Sequence, residues 1–167
     1  MTPIARPPIL FIDVIPVHSA NDVGGFSKTA TRKRGVLFAA TLDAEGELRL
    51  FLGEECPELA AHLRDAGHVV GYNCLGFDYE LIRGQTPFRR PPTTDMMLVL
   101  GKPDGRFVQL KHAIRKHVGS KLVPEIQTIQ EAAFAGSWPS VEHGMKRRLG
   151  LLAQLYGKFV TNSLSRG

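Results

Sequence analysis

An α/β domain on a mixed sheet, with antiparallel strands first and helical cover later, follows from three features of the sequence. Ile9 to Ile15 is an apolar run of strand length. Two further strand-like runs, Val36 to Leu42 and Glu47 to Leu52, flank Asp43-Ala-Glu-Gly46, which has the turn chemistry of a hairpin. Beyond Pro57, apolar residues recur at helical spacing, interrupted by one short strand. With 167 residues, 43% of them hydrophobic and 22% charged, the chain is long and apolar enough to bury a core without disulfides.

Taken in order, Met1 to Pro8 reads as a flexible Pro-containing arm, residues 9–163 as one domain and 164–167 as a tail. Ile9 to Ile15 is a buried strand with Asp13 near its end. A long polar loop containing Gly24 and Gly25 leads to the hairpin. Pro57 suits the first turn of a helix whose buried face is Leu59, Ala60, Leu63 and Ala66, and Gly67 stops it. His68 to Tyr72 reads as a strand and Phe77 to Arg83 as a short helix. After a Pro- and Arg-rich loop, Thr94 or Asp95 caps a helix through Leu100. Leu110, Ala113, Ile114 and Val118 make an amphipathic helix, and Pro124 to Phe134 is helical in character. Ser140 is expected to cap the last helix, with Val141, Met145, Leu149, Leu152, Tyr156 and Phe159 along one side.

Charge and cysteines narrow the classes of function. The net charge of +5 favours an anionic partner, nucleic acid first. Its distribution is more specific: Lys28, Arg32, Lys33 and Arg34 form one cluster, Arg83, Arg89 and Arg90 a second, and Lys146, Arg147 and Arg148 a third. Each alone reads as a solvated face; together they suggest a surface for phosphates. Cys56 and Cys74 have no metal-ligand spacing and read as reduced thiols, which points to the cytoplasm. The most apolar segment, Pro8 to Val17, is too short to span a bilayer and carries Asp13 in its middle, so no membrane partner is expected.

The chemistry concentrates in Gly71-Tyr-Asn-Cys-Leu-Gly-Phe-Asp78, a strand end followed by an Asn, an apolar anchor and a carboxylate at a helix start. This segment resembles the second motif of the DEDD-superfamily, DnaQ-like 3′→5′ exonucleases of the ribonuclease H-like fold. The family's first motif is Asp-x-Glu at the end of the first strand. Here Phe11-Ile12-Asp13-Val14-Ile15 keeps the Asp and has Ile15 in place of the Glu. Thr94-Asp95-Met-Met-Leu resembles the family's Asp-Thr-Leu-x-Leu, and Gln109-Leu-Lys-His-Ala113 its Leu-x-x-Leu-Ala helix. The order of elements agrees from about Ile9 to Phe159.

The last motif departs again. Members carry an Asp in the final helix, with a general-base His five residues earlier or a Tyr four earlier. Setting Met145 to Tyr156 on that motif puts Arg148 at the Asp position and His143 at the place of the His. The resemblance therefore implies a relic site of Asp13, Asp78 and His143, with Ile15 and Arg148 at replaced ligand positions. A lone His near a helix start is more often a surface residue. Glu142, Glu80 and Asp95 are candidate substitute ligands; the plainer reading makes Glu142 and Glu80 surface acids and Asp95 a cap.

The replaced carboxylates bear directly on mechanism. Phosphodiester cleavage in this family uses two divalent ions about 3.5–4 Å apart, bound by hard oxygen ligands. Asp13, Asp78 and Arg148 together carry −1, so the resemblance implies Mg²⁺ or Mn²⁺ held weakly by Asp13 and Asp78, or none. Three functions remain open. The chain is a single-strand-binding module that does not hydrolyse its ligand, a metal-dependent 3′→5′ exonuclease with an unusual ligand set, or a scaffold for a protein partner. The first would use Asn73, Lys28, Arg32, Lys33, Arg34, Arg89 and Arg90 on the backbone, with Phe26 and Phe88 stacking on bases.

Overall fold

The computed structural model describes residues 8–164, with side chains described to residue 161; most of the arm and the last three residues of the tail lie outside that range. Pro8, assigned to the arm, is tied down: its carbonyl accepts from the Gly67 and His68 amides at 3.0 and 3.3 Å. At the other end the last helix continues through Leu164, where the tail was expected to begin.

Five strands make one sheet in the order β3-β2-β1-β4-β5. β1 (Ile9–Pro16) is central because its residues are apolar on both faces and it must be covered twice. β2 (Val36–Asp43) pairs with it antiparallel, and β3 (Leu48–Leu52) closes the expected hairpin on β2. Within the turn the Asp43 carboxylate accepts from the Glu45 and Glu47 amides at 3.0 and 2.8 Å. β4 (His68–Gly71) lies parallel to β1 on its other side, and β5 (Thr93–Asp95) extends the parallel half. The fold is thus a mixed α/β sheet flanked by helices, consistent with the ribonuclease H-like class.

Strand alternation decides which helix covers which face. Phe11, Asp13 and Ile15 project to one side, where Phe11 and Ile15 join a core with α5 (Leu110–His117), α6 (Ile126–Phe134) and α7 (Trp138–Leu164). Leu10, Ile12 and Val14 project to the other, against α2 (Cys56–Asp65) and α3 (Tyr79–Arg83). Leu59 and Leu63 of α2 are fully buried there, each contributing about 1.5–3 kcal/mol relative to exposure.

Four local readings need correction. The loop after β1 is not wholly irregular: a 3₁₀ turn at Asn21–Val23 precedes α1 (Lys28–Arg32), which Ser27 caps by accepting from the Ala30 amide at 3.1 Å. Phe77 to Arg83 is two pieces, a π turn over Cys74–Asp78 and then α3. Thr93–Asp95 is a strand before Asp95 caps α4 (Met96–Leu100) by accepting from the Met97 amide. Finally, α7 starts at Trp138, and the Ser137 carbonyl accepts from the Ser140 and Val141 amides, so Ser140 lies inside the first turn rather than capping it.

Candidate functional site

β1 is longer than its parallel neighbour. β4 pairs only with Ile9 to Phe11 and then turns away at Gly71, so Asp13 and Val14 extend past it on that side. The first turn of the chain at this edge goes to β2 and the second to β4, which makes the carboxyl ends of β1 and β4 a topological switch point where α/β sheets form crevices. The β4 exit is tight: a Cβ on Gly71 would sit 2.5 Å from that of Cys74. Asn73 then takes a left-handed conformation, φ 57°, which Asn tolerates better than most residues.

The π turn that follows delivers Asp78 back to β1. Asp78 does not cap α3; its Oδ1 accepts instead from the Val14 amide at 3.2 Å, satisfying the strand N–H that β4 no longer reaches. Only 1% of Asp78 is exposed. Burial first, and the nearby Asp13 charge second, raise its carboxyl well above the usual carboxylate range. The Val14 hydrogen bond and the Arg148 charge oppose that shift and Asp95 adds to it.

From the opposite element, α7 brings Arg148 over the end of β1. Its Nε donates to Asp13 Oδ2 at 2.6 Å and its NH1 to the Pro124 carbonyl at 3.1 Å. The pair is mostly sequestered, with side-chain exposures of 15% for Arg148 and 17% for Asp13. Ile15, two residues beyond Asp13 on the same face, is fully buried in the α5–α7 core. The space left between Asp13, Tyr72, Leu110, Arg148, Leu149 and Leu152 is about 10 Å³, the lower bound for one water molecule.

Asp95 frames this site. Its carboxylate accepts from the Asn73 amide at 2.8 Å and the Leu75 amide at 3.1 Å as well as from Met97, so it clamps the segment that carries Asp78. Sequence reasoning held it as a cap or a substitute ligand; the cap is observed, and the two bonds to the π turn are the part that local pattern could not reveal. Tyr72 also went unnoticed. Burial, then the Asp95 charge, push its phenol up to about 12, and it donates to the Val108 carbonyl.

The other named residues divide. His143 is exposed on α7 and lines a groove with Pro124, Glu125, Thr128 and Pro139, whose lining includes neither Asp13 nor Asp78. Glu142 is exposed, whereas Glu80 is not the surface acid expected: it is buried and bridges Arg32 at 2.7 Å and Arg83 at 2.8 Å. Arg32 therefore already has a structural partner. Arg34 donates to the His18 carbonyl and lies over Phe77, 4.9 Å from the ring centre, beside Asp78 in sequence. Lys28 and Lys33 are exposed on or next to α1, which packs against α3 and the π turn. Phe26, 85% exposed, precedes them, but Phe88 is packed on Tyr79, 4.9 Å between ring centres. Arg89 and Arg90 feed the start of β5 and so lie away from the carboxyl ends where Asp78 sits. Among the described residues no three His, Cys, Asp or Glu side chains are grouped to hold a metal ion. No helix among them is long and apolar enough to cross a membrane.

No protein-family model matches the chain, and no curated protein matches it. Among solved structures, a family B DNA polymerase from the hyperthermophilic archaeon Pyrobaculum calidifontis shares the fold, with a TM-score of 0.58 and 17% identity over 90% of this chain. The chain spans 24% of that polymerase's length.

Proposed function

We propose that this chain is a 3′→5′ exonuclease-like domain that binds single-stranded nucleic acid without hydrolysing it, with Arg148 in place of the metal ions. The observation that carries the reading is the 2.6 Å bond from Arg148 to Asp13 across β1 and α7. A guanidinium is always charged and fits a carboxylate in a planar fork, so it supplies the counter-charge that two converging acids need. The donor set does not fit two divalent ions: Asp13 is engaged by Arg148, Asp78 is buried against a backbone amide, and Ile15 fills its position with hydrocarbon.

Binding would use the face beside the π turn, where Arg34 lies over Phe77, Lys28 and Lys33 are exposed on or next to α1, and Phe26 offers an open ring for stacking. Asn73 immediately precedes the same π turn, while Arg89 and Arg90 precede β5. Cys56 and Cys74, both free and buried, agree with a reducing, cytoplasmic setting.

The test is anisotropy of labelled oligothymidylate and oligouridylate over a salt series, paired with a degradation assay in Mn²⁺. Saturable binding is expected, with log K falling against log salt by about 0.7 per phosphate contacted, and no release of nucleotides. Metal-dependent degradation abolished by Asp78→Ala would restore the exonuclease reading. Absence of binding at low salt would leave the domain as a protein scaffold.

A further inference from the structure

A second surface lies on the sheet face opposite α7 and Arg148. α2 and the Thr86–Pro92 loop enclose an open groove of about 830 Å³. Its helix wall is the stripe Pro57, Ala60, Ala61 and Arg64, at the three- and four-residue spacing that shares one face. Three of these are small or apolar, so the wall is shallow hydrocarbon with a guanidinium at one end. The loop wall contributes Pro87, Pro91 and Pro92, which have no amide hydrogen to donate, and Arg89 and Arg90.

The charge along the lining is one-sided. Arg64, Arg89 and Arg90 contribute three cations, and among the described residues no carboxylate lines the groove. Arg64 meets Asp65 at only 3.7 Å, with both side chains largely exposed. Arg89 and Arg90 are exposed and make no hydrogen bond or ion pair among the described residues. The carbonyls that edge the loop are already used, Pro91 by the Thr93 hydroxyl and Pro92 by the Val69 amide. What remains for a ligand is guanidinium donors over an aliphatic floor.

That chemistry separates two anionic occupants. A single strand needs open rings for its bases, and the one ring here, Phe88, is taken up by Tyr79 beneath it and by Arg83, 5.7 Å from its centre. A peptide needs hydrocarbon for apolar side chains and cations for acidic ones, and both are present. The proline-rich wall is stiff, so little order is lost on binding.

We propose that the groove between α2 and the Thr86–Pro92 loop binds an extended segment of a partner protein that carries both acidic and apolar side chains. It is a site separate from the single-strand surface, so both could be occupied together.

The probe is a short labelled peptide alternating leucine and glutamate, with its leucine–lysine counterpart and oligothymidylate as competitors. Saturable binding of the acidic peptide is expected, with amide shifts at Ala60, Ala61, Arg64, Arg89 and Arg90. Arg89→Glu with Arg90→Glu should weaken it by about tenfold or more, since two charge-assisted contacts are reversed. Both residues are exposed, so the variant should keep the parent's unfolding midpoint. Ala61→Glu, which alters only the helix wall, should also weaken it. The proposal is overturned if the acidic peptide does not bind, if the lysine peptide binds as well, or if the shifts lie elsewhere. It is also overturned if oligothymidylate displaces the peptide from these residues, which would make the groove a nucleic-acid surface.

Discussion

At the scale of single residues, the Asp13–Arg148 pair carries more than a surface ion pair would. Exposed pairs contribute little because water screens them, but here both side chains are mostly removed from solvent and Arg148 has a second acceptor in Pro124. Arg148→Ala should therefore cost about 2–4 kcal/mol in urea unfolding, because Asp13 is left largely sequestered beside Asp78 without a cation. Asp13→Asn added to that variant should recover part of the loss. If the two substitutions simply add, the pair is not coupled. Glu80 permits a test by pH. Burial raises its carboxyl, but the hydrogen bond and charge of Arg32, with those of Arg83, more than offset this and hold it below its ordinary value. A depressed folded value means that the stabilisation is present above the unfolded carboxylate's pKa, about 4.3, and is lost as pH falls through the folded one. Glu80→Gln should flatten that acid limb and lower neutral-pH stability by about 2 kcal/mol. An acid limb unchanged in slope would remove Glu80 from its cause.

At the scale of elements, the same contact explains what sequence could and could not reveal. β1, the hairpin, α2 and α5–α7 were legible because each has a period or a turn long enough to be read locally. α1 was not: it has five residues, buries only Ala30 and Thr31, and is held by contacts 48 residues away from Arg32 to Glu80. β5 was hidden for a related reason, since three residues, Thr-Thr-Asp, have no strand pattern and acquire one only beside β4. In the site, Asp13 and Asp78 were readable from tight local patterns, whereas the roles of Asp95 and Tyr72 depend on partners more than twenty residues distant. His143 shows the converse: five residues along a helix rotate by about 140° relative to Arg148, which carries it to the solvent side. The α1–α3 seam also sets a steric limit. A Cβ on Gly84 would lie 2.1 Å from the Arg32 carbonyl oxygen, a backbone atom that cannot rotate away. Gly84→Ala should cost at least about 2 kcal/mol and loosen α1, read as faster amide exchange at Thr31 and Lys33. Unchanged exchange there would mean that α1 is held by other contacts.

At the scale of the whole molecule, a polymerase with 17% identity shares this fold, and fold alone does not set what the crevice does. Whether the crevice here retains any affinity for metal can be separated from activity, because an ion that binds the folded state alone must stabilise it. In the parent, Arg148 already neutralises Asp13, Ile15 is packed in hydrocarbon, and the space beside Asp13 and Arg148 is only about 10 Å³. Mn²⁺ should then leave the unfolding midpoint unchanged up to concentrations where it binds surfaces generally. Arg148→Asp removes the guanidinium and adds an oxygen ligand; Ile15→Glu adds another where the core now closes. Together they place four acids at one strand end, which without metal repel and should destabilise the fold by several kcal/mol. With Mn²⁺ at about a hundred times its Kd, about 2.7 kcal/mol should return. Because Ile15→Glu risks unfolding the core by itself, Arg148→Asp alone gives a second measurement, with a smaller metal-linked gain from three acids. A parent midpoint that rises with Mn²⁺ as steeply as either variant's would show that Arg148 does not occupy the place of the ion, and the proposed replacement would fail.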